Sequence, residues 1–132
     1  FFETLQPQSL SKFKNWYSPD ARFKDPFNAV QGVKAIEQIF HHMYESLENP
    51  HFVITAQVVD GHQAFLTWEF RFRFKRFDTV TEQVVLGTSH LVLDDQMLIM
   101  LHRDYWDAAE ELYEKLPWVG GLMRWLKKRA NS

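Results

Sequence analysis

The chain has 132 residues, no cysteine and a formal charge of −2. That length suits one domain with a real core, and the missing cysteine excludes disulfides, thiolate catalysis and sulfur-based zinc sites. A near-neutral charge, without a Gly-rich phosphate loop, an RNA-binding aromatic signature or zinc-finger spacing, gives no basis for nucleic-acid binding.

Leu10, Phe13, Trp16 and Tyr17 recur at helical spacing after Pro7, which predicts a short helix over 7–17. Ser18-Pro19-Asp20 then reads as a turn and 21–25 as a short strand, with Pro26 pushing Asp25 towards an extended backbone. After Gly32, the stripe Val33, Ile36, Ile39, Phe40, Met43 and Leu47 predicts an amphipathic helix over 33–48, ended by Asn49-Pro50. From His51 onward the pattern is that of strands: 52–59, 64–77, 80–93 and 97–105, joined by short turns as in an antiparallel meander. The second of these alternates most strongly. Trp68, Phe70, Phe72 and Phe74 share one face, read as core or pocket wall; Glu69, Arg71 and Arg73 share the other, read as wet or partner-covered. Helices are expected at 107–116, with Asp107 as N-cap, and at about 122–129.

The segment Met97–Asp107 carries the most chemical information. As a strand it places Met100, His102, Asp104 and Trp106 on one face. A histidine and a carboxylate two residues apart, between Met and Trp, sit where pKa values shift and acid–base groups become useful near neutrality. The plainer reading is a sheet end whose polar groups are solvated or hydrogen-bonded for structure. Asp25 has a similar pair of readings: a general base, which must lie within about 3 Å of the proton it takes, or a turn-forming Asp before Pro. His41 and His42 are adjacent, so they cannot chelate a metal as an i, i+4 pair does. No metal and no cofactor are expected.

Helices followed by one long antiparallel meander describe an α+β fold. Two segments carry a closer likeness: Tyr17-Ser-Pro-Asp-Ala-Arg-Phe-Lys-Asp-Pro-Phe-Asn-Ala-Val-Gln-Gly32 with the helix after it, and Leu93-Asp-Asp followed by Ile99-Met-Leu-His-Arg-Asp-Tyr-Trp-Asp107. With the strand order, they resemble the NTF2-like superfamily in its SnoaL-like, ketosteroid isomerase-like and limonene-epoxide-hydrolase-like branches. The resemblance implies a cystatin/NTF2-like cone, with N-terminal helices packed on a strongly curved antiparallel sheet, C-terminal helices added, and a pocket between sheet and helices. In ketosteroid isomerase-like members the Asp of the Asp-Pro step is the general base, which matches Asp25. Their oxyanion hole uses a Tyr and a protonated Asp; Ser89 stands at the strand position of that acid, and the N-terminal helix shows no clear counterpart for the Tyr. In epoxide-hydrolase-like members an Asp-Arg-Asp set activates water. Asp104 matches its last Asp, while the middle strand offers Glu69, Arg71 and Arg73 in another order. Family members often dimerise through the outer sheet face.

These observations predict a single domain over 1–132 (with 117–132 as a helical extension) that binds an apolar small molecule. It would be a cofactor-independent isomerase or hydrolase with a pocket carboxylate as base. Asp25, His102 and Asp104 are the catalytic candidates; Trp68, Phe70, Phe72, Ser89 and Trp106 are the ligand-binding ones. The alternative is a non-catalytic binding or dimerisation module, with a homodimer through the outer sheet face. A third reading uses the tail: Trp118, Val119, Leu122, Trp125 and Leu126 with Lys127, Lys128 and Arg129 form an aromatic, basic amphipathic helix. Such a helix docks on its own domain, on a dimer mate, or on an anionic membrane. No apolar run reaches the roughly 18 residues of a membrane span. No cleavable signal pattern is present, and the native start is expected slightly upstream of Phe1. The expected location is cytoplasmic.

Overall fold

The computed structural model describes residues 2–4, 7–75 and 79–108. In chain order these form short 3-10 helices at Phe2–Thr4 and Pro7–Asn15, strands β1 (Tyr17–Lys24) and β2 (Ala29–Gln31), helix α1 (Val33–Ser46), and strands β3 (Leu47–Asp60), β4 (Gln63–Phe74), β5 (Gln83–Leu93) and β6 (Ile99–Tyr105). The helices expected beyond Ala108, and the tail readings that depend on them, lie outside the described residues. No helix among the described residues is long and apolar enough to cross a membrane.

The fold is α+β. Helix α1 and the Pro7–Asn15 helix pack on one curved six-stranded sheet of order β2-β1-β6-β5-β4-β3. Strands β3 to β6 form the expected antiparallel meander, each paired with the next. Strand β1 then pairs in parallel with β6, which sets the first strand beside the last. This contact lets residues of the N-terminal segment reach the chemistry carried by β6.

Local differences from the sequence reading have identifiable causes. The N-terminal helix stops at Asn15, and Tyr17 opens β1 instead of closing the helix. The backbone N–H of Ile99 donates to the Trp16 carbonyl at 2.8 Å and draws the chain into the sheet. Ser18-Pro19-Asp20 is not a turn but lies within β1. A register shift between Tyr17 and Arg22 accommodates Pro19, which has no N–H to give a ladder. Helix α1 ends two residues earlier than the pattern predicts, because Leu47 is already extended and pairs with Phe74. Asn49-Pro50 forms an irregularity inside β3, between Glu48 and His51, with Asn49 at φ 51°. Asn tolerates that left-handed backbone, and β3 is an edge strand, where Pro is admissible.

Strand β6 contains the correction with most consequence. Val92 faces Leu101 and Leu93 faces Ile99, so Met100 is an extra residue in a bulge. Strict alternation would put Met100 beside His102; instead Met100 is exposed and Ile99 is buried. The bulge lets Ile99 enter the core while His102 and Asp104 still face inward.

Two apolar clusters fill the concave side. One joins Phe13, Tyr17, Ala21, Phe23, Ile36, Phe40, Leu91 and Ile99; the other joins Trp68, Phe72, Phe74 and Val85, and Phe52 and Leu66 touch both. The aromatic face of β4 therefore points inward, as its alternation predicts. On the outer face Arg71 bridges Glu69 and Glu82 at 2.7 and 2.6 Å.

Trp68 lies across the strand from Gly87, and a Cβ at Gly87 would overlap its indole ring. Gly87 thus makes room for an aromatic side chain that is also anchored by a hydrogen bond, described below. Gly87→Ala is expected to destabilise the fold by about 1–3 kcal/mol, the usual range for overpacking, and to shift the Trp emission spectrum. Urea unfolding that matches the parent would show that the indole is not held there.

Candidate functional site

Cross-strand register brings the polar residues together. Ser89 lies opposite Asp104, and Leu91 opposite His102, in the β5–β6 ladder, while Phe23 of β1 pairs with His102 from the other side. The His102 side chain is 2% exposed, enclosed by edge-on Phe2 and Phe23 rings and stacked on Tyr17. A polar ring buried this deeply must have both nitrogens satisfied. The Tyr17 hydroxyl lies 2.7 Å from Nδ1, and Asp104 Oδ1 lies 2.7 Å from Nε2.

Burial, and secondarily the Asp104 charge, push the Tyr17 pKa well above the ordinary tyrosine value, so the phenol keeps its proton. The phenol can thus donate to Nδ1, and Nε2 faces the Asp104 carboxyl. A second arm reaches the same carboxylate oxygen. Trp68 Nε1–H donates to Ser89 Oγ at 2.8 Å, and the Ser89 hydroxyl donates to Asp104 Oδ1 at 2.5 Å. Oδ1 is thus taken by two partners, and Oδ2 has no hydrogen-bond partner among the described residues.

Asp104 also lines a cavity of about 160 Å³ where the two apolar clusters meet. Phe23, Phe52, Trp68, Phe70, Phe72 and Trp106 form much of its wall, and α1 contributes Ile39, Phe40, His42, Met43 and Ser46. A shallower cleft shares Asp25, Asp104 and Trp106 with this cavity.

Asp25 lies on the same wall within a tight turn. Its Oδ1 accepts from the backbone N–H of Phe27 and of Asn28 at 2.8 and 2.6 Å, and the Asn28 amide donates to both carboxylate oxygens at 2.9 and 3.0 Å. Burial raises its pKa most; the Asn28 and Phe27 hydrogen bonds pull it down, the Asp104 charge pushes it up, and the net direction is upward. Asn28 Oδ1 and His42 Nδ1 are buried behind this wall without a hydrogen-bond partner among the described residues. No three His, Asp or Glu side chains among the described residues converge to hold a metal ion.

A family model described as a SnoaL-like domain matches residues 1–102, most of the chain. The chain belongs to the SnoaL-like domain family. No curated protein matches it in sequence. Solved structures with similar folds include a hypothetical protein with a ketosteroid isomerase-like fold from Catenulispora acidiphila, in complex with trimethylamine. It is 18% identical, with TM-score 0.70 over 85% of this chain and 83% of that one. An LEH-like epoxide hydrolase from M. tuberculosis is 16% identical, with TM-score 0.70 over 94% of this chain and 90% of that one. An NTF2-like protein of unknown function from Burkholderia pseudomallei is 11% identical, with TM-score 0.69 over 80% and 84%. At these identities the likeness concerns the fold.

Asp25, Asp104, Trp68, Phe70, Phe72 and Trp106 line the cavity, Asp104 and Trp106 just beyond the stretch matched by the SnoaL-like model, whereas His102 and Ser89 stand behind Asp104 and do not line it. Ser89 therefore acts on the carboxylate and not at the cavity surface. Three residues are not legible as site residues from the sequence pattern. Helical spacing puts Tyr17 at a helix end, and no local pattern links it to a histidine 85 positions away. Asn28 has a usable signal: an Asp followed by Pro and, three residues on, by Asn is the composition of a side-chain-capped turn. His42 stands out only as the neighbour of His41, a spacing unsuited to a metal.

Tyr17→Phe removes the hydroxyl partner of Nδ1 and leaves that buried nitrogen without it, at an expected cost of about 1–3 kcal/mol. The ¹⁵N shifts of His102 should report a changed tautomer balance; unchanged stability and shifts would remove Tyr17 from the network. Asp25 gives a pH signature. Its raised pKa favours the protonated native state, a stabilisation present below the ordinary value of about 3.9 and lost as pH climbs through the raised one. Asp25→Asn mimics the protonated form, so the Tm of the variant minus that of the parent should increase with pH across this window and then level off. A difference independent of pH contradicts the assignment.

Proposed function

We propose that this chain binds a small apolar molecule in the cavity and that Asp104 acts there as a general base, oriented by His102. One observation carries the reading: Asp104 is the titratable residue that belongs both to the buried network and to the cavity wall. Two partners fix Oδ1, so the carboxylate is preorganised before any ligand arrives, and Oδ2 is left to take a proton from a bound molecule or from water. His102 and Tyr17 are positioning residues in this scheme. The backing ring holds the carboxylate rotamer, and the phenol holds the ring.

The geometry supports neither of two more specific chemistries. An epoxide-hydrolase-like water-activating set needs Arg and a second Asp beside the final-strand Asp; Arg71 instead lies on the outer face between Glu69 and Glu82. A ketone isomerase needs donors for an oxyanion, yet the Tyr17 and Ser89 protons are directed at His102 and Asp104. Non-catalytic binding is the second reading, favoured by the saturation of Asp25, whose oxygens are occupied by its own turn.

A thermal-shift screen of small ring compounds should find ligands whose effect is lost when Phe72→Trp fills the cavity. For a ligand that is converted, Asp104→Asn is expected to lower turnover by about 10²–10⁴-fold, the usual contribution of a general base. Turnover by the Asn variant at the parental rate would end the base assignment.

A further inference from the structure

The polar groups on the cavity wall share a chemical bias. Ser46 gives its hydroxyl proton to the His42 backbone carbonyl at 2.6 Å, so it can only accept from the cavity. Asn28 commits its NH₂ to Asp25, and its Oδ1, unpartnered among the described residues, is closed off from the cavity. Asp25 and Asp104, when ionised, accept as well. The Asp104 Oδ2, which has no hydrogen-bond partner among the described residues, is the acceptor left for an occupant.

Size and walls narrow the occupant. A cavity of about 160 Å³ is comparable with engineered cavities of about 150 Å³ that take up benzene, so one ring with a short head group fits. Phe23, Phe27, Phe52, Trp68, Phe72 and Trp106 present aromatic surface around it, and aromatic faces attract cations. Two carboxyl groups stand on the same wall, whose described lining holds no Lys or Arg; Lys24 and Arg103 line the adjoining cleft instead.

We infer that the cavity takes a single-ring apolar molecule whose head group is a hydrogen-bond donor, an amine in preference to an alcohol, and that it discriminates against carbonyl compounds of the same size. The head group donates to the Asp104 carboxylate, and a positive charge on it is met by the aromatic walls. A ketone oxygen cannot donate to that carboxylate. The inference rests on the cavity being a ligand site; it does not need Asp104 to act as a base.

The test is a titration of the full chain near neutral pH with benzylamine, benzyl alcohol and acetophenone, followed by amide NMR shifts and calorimetry. Benzylamine is expected to bind about tenfold or more tightly than acetophenone, with benzyl alcohol between them, as donor pairing and ring–cation attraction require. Asp104→Asn should bring the amine-to-ketone ratio towards one, and Phe72→Trp should abolish binding of all three. Acetophenone binding as tightly as benzylamine overturns the inference and leaves the ligand site standing. If no probe binds the parent chain, or all three bind the filled-cavity variant unchanged, the ligand site falls and the inference with it.

Discussion

A buried imidazole imposes a demand on its surroundings that a buried phenyl ring does not: two nitrogens on opposite edges must both find partners once water is excluded. His102 sits on the sixth strand with one nitrogen facing back towards the chain start and the other towards Asp104. Meeting the first requires Tyr17, hence β1 beside β6. Meeting the second requires that His102 and Asp104 share the inner face, which the bulge at Met100 allows while Ile99 also enters the core. Strand order, bulge and carboxylate position are linked through this one ring.

The same logic explains how a carboxylate is held at an aromatic cavity. Desolvating an ionised group is expensive unless hydrogen bonds replace water. Asp104 receives them on one oxygen, from Ser89 and from His102, and the Trp68 indole in turn fixes Ser89. The arrangement divides one side chain: Oδ1 is held by two partners, and Oδ2 has none among the described residues. Asp25 shows the contrary case. Its turn occupies both oxygens, so a group that touches the same cavity is chemically quieter.

Much of the fold was legible in the chain, and the limits have physical causes. The inward aromatic face of β4 followed from period-two alternation, since neither side chain nor pleat leaves another choice. The stripe of α1 followed from period 3.6, although its end did not, because pairing of Leu47 with Phe74 overrode helix propensity. Asp104 and His102 were visible as a same-face pair. Their roles relative to the cavity were not, because which of two inward residues lines a void depends on packing from the opposite side. Tyr17 was illegible for a different reason: its importance lies in a parallel strand contact that no local periodicity encodes.

That contact bears on how the protein assembles. The Tyr17–His102 hydrogen bond joins residues 85 positions apart, the kind of closure that forms late because chain entropy opposes it until neighbouring strands are in place. The hairpins β3–β4 and β4–β5 can build from nearest neighbours, whereas the carboxylate acquires its backing ring and phenol only when β1 docks. The hydrogen-bond network of Asp104 is therefore completed by the same step that closes the sheet, and a chain stalled before it holds Asp104 without its support.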